Sequence, residues 1–217
     1  MTIPRARGRL VLAAFCLGVL ATVGACNQAS TFSPDGPCLA DGRAAGTYPT
    51  LEATIPTSLE GRPADSVNSG RNCTQAGLGT LASHGVTDLR FAGATWADGN
   101  DAGTSIALLA LPTGSLPVAW AEEFYELGAR NAKKTDHVTT SRPTFDGVGA
   151  VFRVDALNDL SFQSVIVWQD GPLVRVVLVA TAVDPGASMT AHDARIAAAV
   201  AAAASAARGG GVPSASP

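Results

Sequence analysis

The sequence predicts an α+β protein: a single, mostly antiparallel sheet of six to seven strands with about three helices packed on it. Three observations lead there. Runs rich in valine, isoleucine and leucine come in pairs joined by turn residues. The clearest pair, 162–183, is apolar on both faces, so it belongs in the middle of a sheet covered from both sides. Helical stretches fall between hairpins rather than after every strand, which is not the order of a parallel, doubly wound sheet.

Taken in order, 27–37 is polar and turn-forming and reads as a tether. Leu51-Glu-Ala-Thr-Ile55 alternates at period two and stops at Pro56, predicting a short edge strand. Glu60 to Gly70 is charged and turn-rich, a loop. Cys73 to His84 is a weak helix, because Gly77 and Gly79 each cost about 1 kcal/mol against alanine. Gly85 follows it as the residue past its end. Leu89 to Trp96 and Thr104 to Leu111 are strands joined by Asp98-Gly-Asn-Asp-Ala-Gly103. That loop starts like an EF-hand, but Ala102 and Leu109 stand where two oxygen ligands are required, so it reads as a hairpin loop.

Leu116 to Lys134 is the best helix. Pro117 lies in its first turn, and Trp120, Phe124, Leu127 and Asn131 share one face for burial. Its acids, Glu122, Glu123 and Glu126, fall early and its bases, Arg130, Lys133 and Lys134, fall late, as the helix dipole favours. His137 to Thr140 and Val148 to Leu157 are further strands. The central hairpin carries Val165, Val167, Val174, Val176 and Leu178 on one face. The other carries Phe162, Ile166, Trp168, Leu173, Val177 and Val179, interrupted by Ser164 and Arg175. Pro172 lacks the N–H that a two-residue Asp170-Gly171 loop would need. The expected loop is therefore Gln169 to Pro172, with Trp168 opposite Leu173, Val167 opposite Val174 and Val176 opposite Val165. After Asp184-Pro-Gly, Thr190 with Asp193 opens an alanine-rich helix that Gly209 ends, with Ile196 and Val200 as its bulky face.

The N-terminus carries the most specific pattern. Arg5, Arg7 and Arg9 precede an apolar run from Leu10 to Val23, closed by Val23-Gly24-Ala25-Cys26. The run is about 14 residues, short of the roughly 20 a spanning helix needs. This layout resembles the signal peptide and lipobox of bacterial lipoproteins, with Val23 where leucine is commonest. The resemblance covers residues 1–26 alone. It implies that Cys26 is lipidated, becomes the mature N-terminus and anchors an extracytoplasmic protein to the cell membrane. An ordinary secretory cleavage after Ala25 fits the same small residues.

Domain organisation then reads as signal peptide 1–25, lipidated cysteine and flexible tether 26–47, a single α+β domain 48–208, and a tail 209–217. Cys16 leaves with the signal. With Cys26 lipidated, Cys38 and Cys73 remain as a pair for an oxidising compartment. Removing Arg5, Arg7 and Arg9 from 15 basic residues leaves 12 against 18 acidic, a net charge of −6. No basic patch interleaves with aromatics, which argues against a nucleic-acid partner.

Little in the chain points to chemistry. His84, His137 and His192 show no ligand spacing, so no metal or other cofactor is expected. Gly103-Thr-Ser105-Ile-Ala107 matches a nucleophile elbow only in part and leads into a strand. Arg90, Arg153 and Arg175 each interrupt an apolar strand, with Gln163 and Gln169 nearby. Cross-strand pairing with Asp88 and Asp155 explains them, and so does a cleft that holds an anionic ligand. The sequence thus points to a lipid-anchored domain with a binding, sensing or structural role and a small molecule or envelope component as its partner. The alternative is a cell-envelope hydrolase with a Ser/His/Asp site. A cleft holding His beside Ser or Asp would favour the hydrolase; one with Arg and Gln would favour binding.

Overall fold

The structure is a computed structural model that describes residues 32–99, 102–183 and 188–209. The signal peptide, Cys26, the Asp184-Pro-Gly turn and 210–217 lie outside the described residues. In chain order the elements begin with β1 (Gly42–Ala44), α1 (Pro49–Glu52), β2 (Ser58–Leu59), β3 (Arg62–Pro63) and β4 (Ser66–Asn72). Next come α2 (Gln75–Leu78), a 3-10 helix (Gly79–His84), β5 (Leu89–Gly99), β6 (Ala102–Ala110) and α3 (Val118–Asn131). The remainder is β7 (Thr135–Ser141), β8 (Thr144–Phe145), β9 (Gly149–Ala150), β10 (Phe152–Asn158), β11 (Ser161–Asp170), β12 (Leu173–Ala182) and α4 (Met189–Gly209).

Eight strands form one antiparallel sheet in the order β1-β4-β5-β6-β12-β11-β10-β7, and β2-β3 and β8-β9 are separate two-stranded hairpins. The α+β class holds; the sheet has eight strands rather than six to seven, and four α-helices are described rather than three. The central hairpin, β11-β12, sits inside the sheet and is covered on both sides. On one side α3 and the 3-10 helix bury Phe91, Leu109, Val154, Val165, Val167 and Val176. On the other, α4 buries Trp96, Ile106, Leu108, Ile166, Trp168 and Val177.

The faces of the hairpin are as expected, but its register is not. Trp168 faces Arg175, Val167 faces Val176 and Val165 faces Leu178, with a two-residue loop, Gly171-Pro172. The expected pairs Trp168–Leu173, Val167–Val174 and Val176–Val165 are each displaced by two residues. A shift of two keeps every side chain on its face, where a shift of one would flip them all. The expected four-residue loop, Gln169 to Pro172, shortens to Gly171-Pro172, one residue along from the excluded Asp170-Gly171 loop, so that Leu173 supplies the closing N–H. Gly171 sits at φ +58° and proline holds φ near −65°, the sign pattern of a type II′ turn.

Other departures have local causes. Leu51–Ile55 is not a strand: Pro49 starts α1, and Ile55, four residues beyond Leu51, is buried behind it. The expected loop Glu60–Gly70 contains β3 and most of β4, whose Ser69 and Gly70 are buried. Gly70 allows this pairing, since a Cβ there would lie 2.1 Å from the Gly42 carbonyl oxygen. The weak helix 73–84 divides at Gly79, φ +52°, into α2 and the 3-10 helix, and Gly85 caps it in the left-handed conformation. In α3 the buried residues are Ala121, Tyr125 and Ala129; Trp120 and Phe124 are half-buried and Leu127 is exposed. Small Ala121 and Ala129 let the backbone approach the sheet while Trp120 stacks on His84 at 4.7 Å. The cap of α4 is Ser188, whose Oγ accepts from the Ala191 N–H, rather than Thr190.

The tether expected over 26–47 is held to the domain from Phe32 onward. Cys38 and Cys73 form a disulfide with their Cα atoms 5.5 Å apart, as the cysteine count suggested. Asp41 accepts from the backbone N–H groups of Cys73 and Thr74 at 2.6 and 2.9 Å. Arg71, 2% exposed, donates to the carbonyls of Gly36 and Pro37 at 2.9 and 2.8 Å. Residues 32–48 are thus a strap across the β4 edge of the sheet, not a free linker.

Candidate functional site

The strap delivers Tyr48 to the end of the sheet where β6 leaves and β12 enters. Its backbone N–H donates to Ser69 Oγ at 2.6 Å, and Ser69 donates on to Glu52 Oε1 at 2.8 Å. Its hydroxyl donates to the Pro34 carbonyl at 3.3 Å. So fixed, the ring lies under the guanidinium of Arg90, whose Cζ is 5.2 Å from the ring centroid. Burial raises the Tyr48 phenol above its usual range, and the positive charges of Arg90 and Arg71 oppose that rise.

Between Tyr48 and the loop after β6 is an open cleft of about 260 Å³. Arg90, Leu51, Leu111, Pro172 and Leu173 line it, with Thr50 and Thr113 supplying hydroxyls. Among the described residues Arg90 has no ion pair or hydrogen bond, and its Nε is buried without an acceptor. The residue opposite it on β4 is Arg71, another cation. Asp88 lies 3.9 Å from Arg71 and does not pair with Arg90.

The three arginines singled out in the sequence share one sheet face, the one under α4, as the pairings Arg90–Ala110, Arg153–Ile166 and Arg175–Trp168 show. They do not share a site. Arg175 is 1% exposed and bonds Asp170 Oδ2 at 2.6 Å and the Thr54 carbonyl at 3.1 Å. Arg153 bridges Asp155 and Asp193, both at 2.8 Å. Of the three, Arg90 alone has no carboxylate or hydrogen-bond partner among the described residues. The glutamines are also committed: Gln169 Oε1 accepts from Val118 N and so caps α3, and Gln163 donates to Ser161. Tyr48 and 111–114 were not legible as lining, because nothing local to them reports which strand ends they meet.

A second polar cluster lies under the first turn of α4. His192, fully buried, bonds Ser164 Oγ through Nε2 and Thr181 Oγ1 through Nδ1, each at 2.8 Å. Ser164 also donates to Asp155 Oδ1. Counting protons orients the chain. Ser164 has one proton, and Asp155, which also accepts from Arg153 Nε, takes it. His192 Nε2–H must then donate to Ser164, and Nδ1 must accept from Thr181. A serine nucleophile needs the reverse, with its hydroxyl donating to the histidine and the carboxylate behind the ring. The cluster is sealed and runs the wrong way for that chemistry; it satisfies polar groups beneath a helix. The helical spacing of His192 with Ile196, Ala199, Val200 and Ala203 is the signal that places it on the buried face.

Burial lowers the His192 pKa, with Arg153 and then Arg195 adding to the effect against the opposing charges of Asp155 and Asp193. Below the unfolded value of about 6.5 the unfolded chain therefore binds a proton that the native state resists. Stability from this group is full above that pH and falls as pH drops through it. Urea melts of wild type and His192→Gln between pH 7 and 5 check this, His84 and His137 cancelling in the difference. The wild-type advantage should shrink toward pH 5; a constant difference would refute it.

Compared with known proteins, the chain matches no protein-family model, no curated protein and no solved structure.

Proposed function

We propose that this is a lipid-anchored, extracytoplasmic binding domain whose ligand site is the Arg90 cleft. One observation carries the reading: the Arg90 guanidinium, which lies over Tyr48 and has no ion pair or hydrogen bond among the described residues, lines an open cleft with apolar walls. Polar groups that are neither bonded nor needed for packing mark sites completed by something else. The ordered Ser164–His192 cluster, satisfied within itself, favours no hydrolytic reading. A screen of small acids, bases and neutral fragments by NMR tests the site. Hits should shift resonances of Tyr48, Leu111 and Leu173; hits scattered over the surface, or none, would refute it.

The anchor rests on the sequence of residues 1–26. Replacing Cys26 by alanine should release the protein from the membrane fraction or leave the precursor unprocessed. A processed, membrane-bound Cys26→Ala protein would remove the lipid from this reading.

A further inference from the structure

We propose that the cleft takes a small monoanionic carboxylate with a compact apolar body, its two oxygens held by the Arg90 guanidinium. This inference rests on the cleft being the ligand site, and four features narrow the chemistry. The Arg90 Cζ lies 5.2 Å from the centroid of the Tyr48 ring, and the side chain lines the cleft with a planar fork of N–H donors. Such a fork matches a planar pair of acceptor oxygens.

Charge selects a monoanion. Arg71, directly across from Arg90, is spent on strap carbonyls and shares its charge with Asp88 at 3.9 Å. Arg90 itself has no carboxylate partner among the described residues, and a single negative charge is enough to pair with it. A phosphate dianion would carry an unbalanced charge into a half-buried site, which is costly. The walls select the rest of the molecule: Leu51, Leu111, Pro112 and Leu173 give it an apolar body to lie against. Size sets the limit. A volume near 260 Å³ equals about nine waters of liquid and falls just below the range of drug-sized pockets, which suits a small molecule.

The experiment is a titration of the intact domain with hexanoate, its uncharged isostere hexanamide, and inorganic phosphate, followed by NMR. Hexanoate should shift Tyr48, Leu111 and Leu173 and bind at least tenfold more tightly than hexanamide. Arg90→Gln should abolish that preference and Arg90→Lys should retain part of it. The comparison of hexanoate with hexanamide on wild type stands even if a variant misfolds. Equal binding of hexanoate and hexanamide in the cleft would overturn the carboxylate while leaving the cleft as the site. Tighter binding of phosphate than of hexanoate would overturn it too. No shift at the cleft from any of the three, nor from the fragment screen, would overturn both readings.

Discussion

Replacing Cys38 and Cys73 together by alanine should cost the domain about 3–4 kcal/mol, read as a lower urea midpoint at unchanged slope. The two cysteines are 35 residues apart, and closing a loop of that length restricts the unfolded chain by about this much on the chain-entropy account. The effect has a local component as well. The bridge clips the strap, 32–48, to the end of β4, and that strap carries Tyr48 into the cleft wall. Without it, Asp41 and the Arg71 fork still hold the strap, each by exposed or half-exposed hydrogen bonds. The variant should therefore open the strap more often, seen as faster amide exchange at β1, and bind the hexanoate probe more weakly. A loss under about 1 kcal/mol would mean that Arg71 and Asp41 alone fix the strap.

The sheet was legible where a strand's own side chains decide its place. Val165 to Val179 alternates so regularly that both faces of the central hairpin follow from it, and a two-residue error in register left them intact. Register itself depends on which N–H closes the loop, and Gly171-Pro172 closes on Leu173, a choice that local rules do not force. Strands such as β4, with the sequence Ser-Val-Asn-Ser-Gly-Arg-Asn, carry no apolar alternation. They are strands because β5 and the strap bury them, a tertiary cause invisible in the segment. The same holds for the site. Arg90 could be singled out because it breaks an apolar run. Arg153 has Asp155 two residues along its own strand, a pairing open to view in the sequence, but that Asp170 meets Arg175 across the hairpin and that no carboxylate among the described residues meets Arg90 depends on the fold. His192 stands four residues before Ile196, which puts it on the buried face of α4; that it meets Ser164 and Thr181 there depends on how the helix docks, which its own segment does not report.

Arg175→Ala should be the most damaging single change on the hairpin, costing about 3–5 kcal/mol, the range for breaking a buried charge pair. The side chain is 1% exposed and lies between Trp168 and Leu108 on neighbouring strands. Truncation leaves a cavity under α4 and strips the donor from the Thr54 carbonyl. Asp170 is 34% exposed and can be rehydrated, so it contributes less to the loss than a sealed partner would. Arg175→Met separates the two terms. It refills the volume without a donor, and should recover part of the stability. The guanidinium also has a geometric role. Thr54 closes the turn after α1, and Asp170 precedes the hairpin loop, so Arg175 ties together the two elements that supply Leu51 and Leu173 to the cleft. Arg175→Met should then bind hexanoate more weakly than wild type while remaining folded, although Arg175 does not line the cleft. Urea melts with parallel NMR titrations read both effects. A loss below about 1 kcal/mol for Arg175→Ala would show that water enters and replaces the guanidinium. Unchanged hexanoate binding in a folded Arg175→Met protein would show that the two walls are positioned without it.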